Sequence, residues 1–137
     1  MTISRAFVLG AVALLACSGV DAERKYADFY LADSRTPEEV KTAIREGVVV
    51  LGMCPLQALA AAGAPGPYRV ERDPTRWPDQ ADPVKVVEAQ CKNPDKSMVE
   101  LTFSNTSQFG SNEPVVFRVR FVDGRAARID VEGFADN

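Results

Sequence analysis

The segment from Phe117 to Val131 constrains the fold more than any other part of the chain. Phe117-Arg118-Val119-Arg120-Phe121 alternates apolar and charged residues, and Asp123-Gly124 supplies a two-residue turn of the kind that joins antiparallel strands. The alternation resumes beyond the turn, where Ala127, Ile129 and Val131 are expected inward and Arg128 and Asp130 outward. Successive strand side chains point to opposite faces, so this hairpin has one apolar face and one charged face. A sheet of that kind needs cover on one side only. Met98–Phe103 repeats the pattern with Val99, Leu101 and Phe103, and Tyr68–Glu71 alternates briefly. Val84–Cys91 is rich in β-branched valine and predicts a further strand with Val87, Ala89 and Cys91 inward.

The cover is expected from two helices ahead of the sheet. Thr36-Pro37-Glu38-Glu39 reads as a capping box with proline at the first helical position. Val40, Ala43 and Ile44 form an apolar stripe, and Gly47 offers a stop. Val48–Leu51 is β-branched and reads as extended; Gly52 permits a turn, and Pro55 opens a second helix that runs to about Ala62. Gly63 and Pro65 end it. The fold class expected is therefore α+β, with two N-terminal helices on one face of a small antiparallel sheet.

The chain has 137 residues, the length of one domain, with 46% hydrophobic and 26% charged residues. A net charge of −3 gives no sign of a nucleic-acid partner, which would want a basic face. There is no histidine, which excludes a Ser–His–Asp triad, a Cys–His pair and histidine-bound zinc. Carboxylate or lysine catalysis is still allowed by composition, but no carboxylate pair has a suggestive spacing. No phosphate-binding glycine loop and no acidic cluster with calcium spacing is present. No catalytic residue, metal or cofactor is expected.

Met1 to Ala22 has the layout of a secretory signal peptide: Arg5, then an uncharged apolar run from Ala6 to Ala16, then small and polar residues. The run is too short to span a bilayer comfortably, which takes about 20 apolar residues. Two processing sites compete. Leu14-Leu15-Ala16-Cys17 resembles a bacterial lipobox that would lipidate Cys17, whereas Val20-Asp21-Ala22 would release the chain from Glu23. With Cys17 either lipidated or removed, Cys54 and Cys91 are the cysteines left, and an oxidising compartment then favours a disulfide between them. Residues 23–35 read as a tether or a short helix, in which Tyr26, Phe29 and Tyr30 have roughly helical spacing and could pack onto the domain.

Two polar segments interrupt the sheet. Asp73–Pro83 carries Trp77, the only tryptophan, and Ser104–Pro114 carries Phe109. Aromatic residues are favoured at interaction hot spots, so both are candidate partner contacts; the alternative for each is that it tucks against its own domain.

The junction Gly47…Val50-Leu51-Gly52-Met53-Cys54…Ala58…Ala62-Gly63-Ala64-Pro65 resembles the SmpA/OmlA (BamE-type) family of small bacterial envelope lipoproteins. In that family a helix leads through a G-M-[S/T] turn into a short helix ending in G-x-P, followed by a three-stranded antiparallel sheet. Here Cys54 replaces the hydroxyl residue that caps the second helix, and the Asp73–Pro83 segment has no counterpart. The resemblance implies a non-catalytic adaptor among envelope or outer-membrane proteins, held to the membrane by lipid on Cys17 and linked to outer-membrane protein assembly or envelope integrity. The alternative is a soluble periplasmic protein-binding or inhibitor module.

Overall fold

The computed structural model describes residues 24–134. Helix α1 covers 24–32, α2 Glu38–Glu46 and α3 Pro55–Ala62; strand β1 (Tyr68–Glu71) precedes α4 (Pro83–Lys92). Strands β2 (Met98–Asn105), β3 (Val115–Val122) and β4 (Arg125–Phe134) complete the chain. The strands form one antiparallel sheet in the order β1-β2-β3-β4.

The registers place Val99 opposite Phe121, Leu101 opposite Val119 and Phe103 opposite Phe117. All six are buried and share one core with Val40, Ala43 and Ile44 of α2 and Ala58, Ala60 and Ala61 of α3. The opposite face of the sheet is charged. Glu100 lies there beneath two arginines: its Oε2 accepts from Arg120 Nε at 3.2 Å and Nη2 at 3.1 Å, and Arg118 stands 3.7 Å from its other oxygen. The guanidinium groups shield Glu100 so well that it is only 8% exposed on a solvent-facing surface.

Several expectations need correction. Val84–Cys91 is helical, not a strand: Asp82 accepts from the Val84 amide at 3.0 Å and Pro83 occupies the first turn. Along α4, Val86 and Gln90 fall four residues apart and are both buried. The helix also carries Cys91 to the start of α3, where it forms a disulfide with Cys54, Cα to Cα 5.1 Å. The sheet is thus covered by more than the two helices expected. Residues 24–32, open between tether and helix, are a helix with Tyr30 buried in the core.

Thr36 does not cap α2. Its side chain makes no cap hydrogen bond, and the residue is turned inward and buried. The first helical amides instead reach the Pro37 carbonyl, Val40 N at 3.1 Å and Lys41 N at 3.0 Å. Gly47 does stop the helix, at φ 75°, with its N–H on Ile44 O and the Val48 N–H on Ala43 O. In β4 Ala126 is buried in place of Ala127, Ile129 packs half-buried against the core as expected, and Val131, expected inward, is 59% exposed at the sheet edge. Ala126 faces Phe121 and Arg128 faces Arg120, so Ala127 is an unmatched bulge residue and is exposed.

Candidate functional site

The aromatic side chains singled out from the sequence lie at opposite ends of β2. Trp77 is anchored to Asp95, just ahead of Met98, and Phe109 follows Asn105 at the other end. The strand between them has 8 residues and is roughly 25 Å long. They do not form one site.

Trp77 is built into its own surroundings. Its indole N–H donates to Asp95 Oδ2 at 2.6 Å, and the Arg76 guanidinium sits 5.5 Å from the ring centroid. Asp95 also accepts from the Ser97 amide at 2.7 Å and from Gln90 Nε2 at 3.2 Å, with Arg76 3.4 Å away. Partial burial works against its charge, but hydrogen bonds from Ser97, Trp77 and Gln90 outweigh that and hold the carboxyl below its ordinary range. Asp95 therefore ties the segment after β1 to α4 and to the start of β2. Ser97 extends the tie, its Oγ accepting from the Asp73 amide at 2.9 Å.

Phe109 has the opposite character. Its ring packs perpendicular to Phe117, centroids 5.8 Å apart and planes at 87°, while the residue stays 46% exposed. The loop that carries it is clamped to the junction between α2 and α3. Gln108 Oε1 accepts from Val49 N at 2.7 Å, and Gln108 Nε2 donates to Val49 O at 2.9 Å, as a neighbouring strand would. Ser107 Oγ donates to Gly47 O at 2.6 Å, and Asn105 Oδ1 accepts from Gln108 N at 2.9 Å. A β-carbon on Gly47 would lie 2.6 Å from Ser107 Oγ, so this close approach needs glycine as much as the positive φ does. The result is a phenyl ring presented to solvent from a pinned loop.

Sequence reasoning named Phe109 but missed Asn105, Ser107 and Gln108; Ser107 and Gln108 reach Gly47 and Val49, 60 and 59 positions away in the chain. It also missed a second role of Cys91. The Leu56 amide, one of the donors left open at the start of α3, points at Cys91 Sγ at 3.2 Å, and Gln57 Oε1 accepts from Cys54 N at 3.1 Å. The helix start that lacks a hydroxyl cap is held by the disulfide and by Gln57 instead. Tyr30 completes this corner with its hydroxyl 3.8 Å from Cys54 Sγ, and burial pushes the phenol up from its ordinary value.

An apolar crevice lies between α1, α3, α4 and β1, lined by Tyr26, Leu56, Leu59, Val84, Val87 and Leu101. Its volume is only about 60 Å³, whereas two more open grooves beside α1, one reaching Glu88 and Lys92 and the other Asp33, Arg35 and Gln57, measure about 440 and 500 Å³. Among the described residues no group of three or more His, Cys, Asp or Glu is placed to hold a metal ion, and no helix is long and apolar enough to cross a membrane. Cys17 lies outside the described residues. No protein-family model matches the chain, and neither does any curated protein or solved structure.

Proposed function

We propose that this protein is a non-catalytic adaptor of the bacterial cell envelope, tethered through a lipid on Cys17, that binds an envelope or outer-membrane protein through the Phe109 loop. The observation that carries the reading is the half-exposed Phe109 ring on a loop clamped by Asn105, Ser107 and Gln108. An aromatic side chain held in place before a partner arrives gives up little conformational entropy on binding. The Cys54–Cys91 disulfide and the apolar N-terminal run followed by Leu14-Leu15-Ala16-Cys17 support a location outside the cytoplasm. The absence of histidine favours binding over chemistry.

The SmpA/OmlA-type resemblance, which covers about Thr36–Pro65, supports the same role. The helix–turn–helix it covers is the part of the chain to which the Phe109 loop is pinned, at Gly47 and Val49. Intact mass of the protein from membrane and soluble fractions tests the tether. A chain beginning at lipidated Cys17 in the membrane fraction is expected. An unmodified chain beginning at Glu23 in the soluble fraction would contradict the tether and leave a free periplasmic binding module.

A further inference from the structure

The edge of the sheet formed by β4 is open for part of its length, and its sequence is complementary to itself. Ala126 uses its outward-pointing backbone groups on the neighbouring segment: its N–H donates to Met53 O at 2.7 Å, and its carbonyl accepts from Gly52 N at 2.9 Å. Phe121, opposite Ala126, therefore bonds toward β2, and so do Val119 and Phe117 in turn. Their partners Ile129 and Val131 consequently aim their own N–H and C=O groups away from the sheet. Among the described residues nothing receives them. The unmatched residues Ala127 and Glu132 bracket this open stretch. Beside it lie exposed apolar side chains, Val131 at 59% and Leu51, next to Gly52, at 63%.

We infer that β4 pairs antiparallel with β4 of a second copy of this chain, centred on Ile129, to make one continuous sheet across a two-fold axis. Charge selects that centre. Centring on Arg128 would set Arg128 against its own copy, and centring on Asp130 would set Asp130 against itself. Centring on Val131 would oppose Asp130 to Glu132. Only the Ile129 centre places Arg128 opposite Asp130 twice, with Ile129 against Ile129 on the apolar side and Ala127 against Val131. Arg128 and Asp130 already share one face within β4, 3.0 Å apart and well exposed, so each is in position to meet the other's copy. This register also ends where Ala126 is already occupied by Gly52 and Met53. An isologous contact of this kind closes on itself and does not propagate. It does not depend on the adaptor reading.

The paired stretch is short, so the dimer forms reversibly with concentration rather than as an obligate unit. Sedimentation velocity on the protein as the cell processes it, from low micromolar to submillimolar, tests the inference. The mass is expected to rise toward twice that of the monomer. Arg128→Asp and Asp130→Arg should each abolish the rise, and the double variant, which restores opposite charges across the axis, should recover it. Circular dichroism checks that each variant is folded. A wild-type protein that stays monomeric throughout would overturn the inference. So would folded single variants that still dimerise, or a folded double variant that does not.

Discussion

The polar segments after β1 and after β2 read alike in sequence, each a hydrophilic stretch with one aromatic residue, yet they do opposite things. Trp77 is drawn in by its indole N–H, which finds Asp95, and by the Arg76 cation over its ring. Phe109 has no polar side-chain atom to anchor it, so its position is set by neighbours: Gln108, Ser107 and Asn105 fix the backbone, and Phe117 packs perpendicular to the ring. An aromatic with a hydrogen-bonding handle serves its own fold here, and one without is left presented. The difference lies in side-chain chemistry and in long-range partners, not in local composition.

The largest blow to the presenting side is removal of its floor. Phe117 is fully buried against Phe103 and Phe109, so Phe117→Ala should cost about 3–5 kcal/mol in denaturant unfolding. On the other side, Cys91→Ser breaks a link of sequence separation 37 and removes the sulfur under the Leu56 amide. A loss of about 2–4 kcal/mol is expected, and an unchanged melting midpoint under oxidising conditions would refute the disulfide.

Gln108→Ala frees Val49 N and O together and should cost about 1–2 kcal/mol. It should also raise amide exchange in residues 106–113 while leaving 73–82 protected, which hydrogen-exchange mass spectrometry can read. Asp95→Asn sharpens the opposite side through pH. The Asp95 carboxyl is held low in the folded state, so its stabilisation is complete above the ordinary carboxylate pKa of about 4 and is lost as pH falls through the lowered folded value. The fall in melting midpoint on acidification should therefore be steeper in wild type than in Asp95→Asn. Smallest of all, Phe109→Ala should change stability by less than about 1 kcal/mol, since the residue is 46% exposed. A loss comparable to that of Phe117→Ala would make Phe109 part of the core.

Much of the sheet was legible because its signal is local. Alternation in β2 and β3 and the Asp123-Gly124 turn specify themselves, and Gly124 also fits where a β-carbon would lie 2.5 Å from Gln90 O. What failed involved competition between signals. The valines of 84–87 argue for a strand by propensity, but Asp82-Pro83 caps and starts a helix, and packing against α3 through the disulfide decides the outcome. The bulge that turned Ala126 inward follows from pairing with Phe121, which no local pattern encodes. At the candidate site, Phe109 could be named from its type and its polar setting. Its clamps could not, since Gln108 and Val49 meet only once the chain has folded.

The most direct test of the account is in-cell photo-crosslinking from a probe placed at position 109, compared with the same probe at position 77. A discrete adduct with another envelope protein is expected from position 109 and none from position 77. Equal adducts from both positions, or none from position 109 in a folded, membrane-associated protein, would contradict it.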